Sequence, residues 1–175
     1  MSLTLHLGHG ASGTAASMAP FVRGLRARGW DATAIDLPRR KAEDALTAFH
    51  AVVPRSSDTV VGGHSFGGRV ASLAAAEPDA PYAALVLFSY PLHPPGAPER
   101  AGVRTAHWPS IRCPVLLVSG ESDPFARIGL LRERVLALPH AELHTYPRLG
   151  HTLQPVLDDA LDRVAAFLAR LDRPL

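Results

Sequence analysis

A serine hydroxyl becomes a useful nucleophile at neutral pH only when a neighbouring base takes its proton. In this chain Ser65 stands in Gly63-His64-Ser65-Phe66-Gly67, a G-x-S-x-G pattern. The pattern is entered by the apolar, β-branched run Val60-Val61 and left through a stretch of alanine, leucine and arginine, which are good helix formers. A buried strand must therefore turn into a helix within a few residues, with Ser65 at the corner. Glycine on both flanks removes the side chains that would clash where strand and helix come close. Such a corner lifts the hydroxyl above the sheet and aims the free N–H groups of the helix start at whatever the serine attacks. The bland reading is a structural or phosphate-binding glycine turn. No G-x-x-x-x-G-K-[ST] pattern is present, which argues against a nucleoside triphosphate site.

A base and a carboxylate to hold it are found further along, as His151 in Gly150-His151-Thr152 and Asp123 in Ser122-Asp123-Pro124. Both must reach Ser65, and the elements between them say how. Apolar runs predict strands over residues 3–7, 32–37, 84–89, 114–119 and 141–146, besides the one that ends at Val61. Helical composition predicts helices over 14–28, 41–53, 67–77, 125–138 and 155–171. The proline- and glycine-rich segment 90–112 has room for a short helix near 105–110. Alternation of this kind predicts an α/β protein with a parallel sheet covered on both faces, whose chemistry gathers beyond the carboxyl ends of the strands. Ser65, Asp123 and His151 each fall just past a predicted strand, on one rim.

Composition narrows the alternatives. With 175 residues, 47% apolar and 19% charged, the chain has the profile of a soluble globular protein with one core. Net charge is only +2 and the seventeen arginines are spread along the sequence, which leaves no nucleic-acid footprint. The single cysteine, Cys113, excludes an internal disulfide and reads as a buried structural thiol. The first residues carry no basic n-region, and no apolar run approaches the roughly eighteen residues of a membrane span, so the expectation is a cytoplasmic protein.

On the elbow, on the order Ser65, Asp123, His151, and on His9-Gly10 after the first strand, the chain resembles the α/β-hydrolase superfamily over essentially its whole length. Within it, the chain is most similar to small, lidless serine hydrolases related to dienelactone hydrolases. The segment Ser89-Tyr90-Pro91-Leu92-His93-Pro94-Pro95-Gly96, with Asp123-Pro124-Phe125 downstream, points to a predicted-hydrolase branch. The resemblance implies a three-layer α/β/α sandwich, one domain over 1–175, with a six-stranded parallel sheet that lacks the family's usual N-terminal strands. It makes Ser65 the nucleophile, His151 the general base and Asp123 the carboxylate that orients it. The Ala11 and Phe66 N–H groups become the oxyanion hole, and no cofactor is implied. Dienelactone hydrolases proper use a cysteine nucleophile, which separates this chain from their particular substrate.

The expected activity is hydrolysis of small ester-type substrates, carboxylic esters with thioesters and lactones open to the same machinery. The alternative is a non-catalytic protein of the same fold that binds a ligand or partner. Tyr90, His93, Trp108 and Phe125 are candidates for the walls of the substrate pocket, with core or structural roles as their alternatives; Phe66 carries the same two readings. Arg39 and Arg40 fall on the active rim, either to bind a substrate carboxylate or as solvated charge. His9 reads as a support for its loop and His64 as packed under the elbow. His140 and His144 have metal-like spacing but flank a predicted strand without a carboxylate-rich partner set, so no metal is expected. Oligomeric state is left open.

Overall fold

The computed structural model describes residues 2–172. Six strands form one parallel sheet: β1 (Thr4–Gly8), β2 (Asp31–Ile35), β3 (Thr59–His64), β4 (Ala84–Phe88), β5 (Val115–Gly120) and β6 (Ala141–Tyr146). Their order across the sheet is β2-β1-β3-β4-β5-β6. The chain steps outward from β1 to β2, then crosses back to β3 and continues to the far edge. The strand order therefore reverses between β1 and β3, the place where open α/β sheets gather their ligands.

Side chains alternate across the sheet with period two, so the strands split their apolar residues between two cores. Val61, Leu85, Leu87, Val115 and Leu117 face one side. There they pack on helices α2 (Leu46–Val52), α3 (Phe66–Ala75), α4 (Ala101–Thr105) and α5 (Ile128–Arg134). Val60, Val86, Phe88, Leu116 and Val118 face the other side, where α1 (Ala19–Ala27) and α6 (Leu157–Leu171) cover them. The central strands β3, β4 and β5 are buried almost throughout, as continuous apolar runs in a two-sided parallel sheet must be.

Most helices are shorter than their composition predicts, because their first or last turn winds as a 3-10 helix. Ala15–Met18 precedes α1, Glu43–Ala45 precedes α2 and Gln154–Val156 precedes α6, while Val135–Ala137 extends α5. The short helix expected near 105–110 lies earlier, as α4, between 3-10 turns at Pro98–Arg100 and Trp108–Ser110. Pro98 and Pro109 start those turns with a fixed φ and without an N–H.

Candidate active site

The elbow forms where β3 runs into α3. Ser65 has φ 50° and ψ −113°, a left-handed conformation that costs a non-glycine residue about 1–3 kcal/mol. Surrounding contacts impose it. The Ser65 N–H donates to the Phe88 carbonyl (2.8 Å), and the Ser65 carbonyl accepts from the Arg69 N–H one turn into α3 (3.0 Å). Next to it the chain passes so close to the end of β1 that a Cβ on Gly67 would lie 2.2 Å from the carbonyl carbon of Gly8. The Gly67 N–H uses that approach to donate to the His9 carbonyl (2.9 Å).

Three side chains distant in sequence meet above this corner. His151 Nε2 lies 2.9 Å from Ser65 Oγ, and His151 Nδ1 lies 2.8 Å from Asp123 Oδ2. In the neutral ring these read as Ser65 donating to Nε2 and Nδ1–H donating to the carboxylate. The other Asp123 oxygen accepts the Phe125 N–H (2.8 Å), so both oxygens are occupied. The Asp123 side chain is fully buried, whereas that of His151 keeps 24% exposure, a dry acid behind a reachable base. The rings of Phe125 and His151 stand 4.5 Å apart, centroid to centroid, which fixes the imidazole from one side.

A cavity of ≈ 560 Å³ opens in front of Ser65 and His151. Met18, Phe21, Phe125 and Leu153 give it apolar walls, and Gly10, Ala11 and Ser12 form its rim at the switch point. Neither the Ala11 nor the Phe66 N–H has a backbone partner among the described residues. The 10–15 segment is tied to the end of β2: Asp36 Oδ1 accepts the Ala15 N–H (2.7 Å), and His9 Nε2 accepts the Leu37 N–H (2.9 Å). His9 Nδ1 meets the Gly10 carbonyl at 2.7 Å, which makes this ring the Nδ1–H tautomer and a loop support, as expected. The Asp36 clamp carried no signal in the sequence beyond its place at a strand end.

Of the expected pocket residues, only Phe125 reaches the cavity. Trp108 is fully buried and Tyr90 nearly so, with rings 5.0 Å apart and the Tyr90 hydroxyl donating to the Arg104 carbonyl (2.6 Å). Ser89, at φ 49°, turns the chain at the end of β4, and the aromatics that follow cover the sheet instead of lining the site. His93 is also buried, and it holds the acid's loop: its N–H donates to the Phe125 carbonyl (3.0 Å) and its Nε2 accepts the Arg127 N–H (3.0 Å). Phe66 packs partly into the α3 side of the core.

His64 departs from the expected packing beneath the elbow. Its ring lines the cavity, and its Nε2 lies 3.2 Å from the His151 carbonyl. Burial, more than the neighbouring His151, pushes its pKa below the ordinary histidine value, so a neutral ring donates there and braces the backbone of His151. Arg39 and Arg40 are exposed on the rim. His144 sits in β6 with Nδ1 3.1 Å from the Arg163 guanidinium, and His140 is exposed before that strand. Among the described residues no three His, Cys, Asp or Glu side chains converge as a metal site would need, and no helix is long and apolar enough to cross a membrane.

No curated protein sequence matches the chain. Among solved structures, a monoacylglycerol lipase from Paleococcus ferrophilus superposes with a TM-score of 0.81 at 14% identity, covering 98% of this chain and 97% of its own. An esterase from Pyrococcus furiosus superposes with a TM-score of 0.77 at 20% identity, over 97% of this chain and 81% of its own. At such identities the likeness is one of fold. The family model described as an alpha/beta hydrolase domain matches residues 3–169. With nearly the whole chain matched and the sheet, elbow and rim arranged as above, the protein belongs to the alpha/beta hydrolase domain family.

Proposed function

We propose that the protein is a serine hydrolase that cleaves small ester-type substrates through an acyl-enzyme on Ser65. The observation that carries this reading is the unbroken hydrogen-bond line from Ser65 Oγ through His151 to the buried Asp123. His151 Nε2 takes the Ser65 proton as Oγ bonds to the carbonyl carbon, and the carbonyl π electrons move onto oxygen. The Ala11 and Phe66 N–H groups, neither with a backbone partner among the described residues, hold that oxyanion. As the tetrahedral intermediate collapses, the bond to the leaving alcohol breaks and His151 returns the proton to that oxygen. Water then repeats the sequence, giving its proton to His151, and the acid leaves as Ser65 recovers its own. Asp123 accepts from Nδ1–H and holds the ring in the tautomer that presents Nε2 as base.

The connection between β4 and β5 holds only short helical turns and is too short for a lid domain, which favours short acyl groups, and thioesters or lactones would pass through the same steps. The test is covalent labelling by a fluorophosphonate together with turnover of p-nitrophenyl acetate. Wild type should label and turn over. Ser65→Ala should not label and should lose about 10⁶-fold in kcat, and Asp123→Asn about 10⁴-fold, by analogy with other serine triads. Labelling that survives in Ser65→Ala would move the chemistry elsewhere. A wild type that neither labels nor turns over would favour the ligand-binding alternative.

A further inference from the structure

A second cavity, of ≈ 610 Å³, lies on the other flank of the elbow. Ser65 lines the first cavity, and the residue after it, Phe66, lines the second. The second is ringed by five cationic side chains, Arg40, Lys41, Arg69, Arg100 and Arg104, against one carboxylate, Glu43. The chain as a whole carries 18 cations against 16 acids, so this five-to-one ratio is local and is not general basicity. The single acid is spent on Arg69, at 2.5 Å. Among the described residues the other four cations have no ion-pair partner.

The cluster is poorly satisfied as well as crowded. Arg69 Nε is enclosed without a hydrogen-bond partner among the described residues. Among the described residues the Arg104 guanidinium reaches only the Pro91 carbonyl, at 2.9 Å. Burial first, and then the nearby Arg69 and Arg100, hold that guanidinium below the ordinary arginine value. Guanidinium groups gathered around a hollow repel one another and keep planar pairs of N–H donors free, the arrangement that carboxylate and phosphate oxygens fit. Arg69 lies one turn of α3 beyond Ser65, about 6 Å along the helix axis, so the cationic cluster and the nucleophile are carried by the same helix start.

We propose that this cavity receives a carboxylate or phosphate group carried by the substrate, so that the substrates are acidic esters. This rests on Ser65 acting as an esterase nucleophile. The experiment measures kcat/KM for the mono-p-nitrophenyl ester of adipic acid and for its neutral methyl ester, with a phosphonate-ended analogue as a third substrate. Wild type should prefer the acidic esters by about tenfold or more in low salt, and the preference should shrink toward 0.5 M NaCl as screening grows. The ratio should collapse toward one in the Arg40→Gln/Arg100→Gln double variant, both exposed residues, and persist in Arg23→Gln, an exposed arginine on α1.

A wild-type ratio near one, or a high ratio unchanged in the double variant, overturns the proposal while leaving the esterase reading intact. Turnover of no ester sinks both. Inorganic phosphate titrated into Ser65→Ala by calorimetry separates a free anion from a substrate group. Phosphate that binds, is lost in the double variant and competes with the acidic esters supports the assignment. Phosphate that binds without competing marks a site for free anions and overturns it.

Discussion

At the scale of single residues, four imidazoles other than His151 act as hydrogen-bond pieces. His9 and His93 each sit between a carbonyl on Nδ1 and a backbone N–H on Nε2, His64 faces the His151 carbonyl, and His107 meets Ser72 Oγ at 2.8 Å. Because the Ser72 hydroxyl also reaches the Arg69 carbonyl (2.7 Å), the consistent assignment has His107 Nε2–H donating to Ser72 and Ser72 donating onward. Burial, with help from the Arg69 charge and against the pull of Glu43, lowers the His107 pKa to about 4. The unfolded ring titrates near 6.5, so below that pH the unfolded chain binds a proton the folded one refuses. The stability contribution is therefore complete above about pH 6.5 and is lost as pH falls towards 4. Allowing for the partial exposure of the ring, the loss should be about 2 kcal/mol. Guanidinium unfolding of wild type and His107→Gln at pH 7.5 and 4.5 measures it. Equal pH slopes in the two chains would remove this role from His107.

At the scale of elements, the site depends on how closely α3 meets β1. Gly67 has backbone rather than a flexible side chain against it, so Gly67→Ala must push the helix start away from Gly8. The expected cost is about 1–3 kcal/mol in stability. A larger loss in kcat should accompany it, because Ser65 Oγ moves relative to His151. A variant as active as wild type would show that the elbow tolerates the shift. This contact marks where sequence reading stopped. Gly63, Ser65 and Gly67 were legible as a corner because the requirement is local, and the alternation of elements then put Asp123 and His151 on the same rim. That Gly8 is the surface pressed against the corner depends on the pairing of β1 with β3, which no local pattern encodes. Tyr90, His93 and Trp108 escaped for the same reason. An aromatic or imidazole in a proline-rich connection looks the same whether it walls a pocket or covers a sheet, and the turn at Ser89 decides between them.

At the scale of the whole molecule, the parts of the site sit at different depths in the sheet. Ser65 follows β3, which has β1 and β4 as neighbours, and Asp123 follows β5, held between β4 and β6. His151 follows β6, which pairs with β5 alone and has no fully buried residue along its length. Strands of that kind open at lower free energy than a buried centre. Activity should therefore fade before the sheet melts. On heating, the midpoint for reversible loss of esterase activity should lie below that for loss of far-ultraviolet circular dichroism, and amide exchange should be faster over 141–151 than over β3 or β4. Coincident midpoints would mean that the edge opens only with the rest.

His151 thus follows an edge strand and lies 86 positions along the chain from Ser65. Ser65 meets His151 only once β3, β4, β5 and β6 lie side by side. In refolding, turnover would be among the last properties to return, after secondary structure and compactness, since contacts this far apart in sequence form late. A partly folded chain would then leave Ser65 without the His151 contact on which the proposed chemistry depends, until β6 has docked.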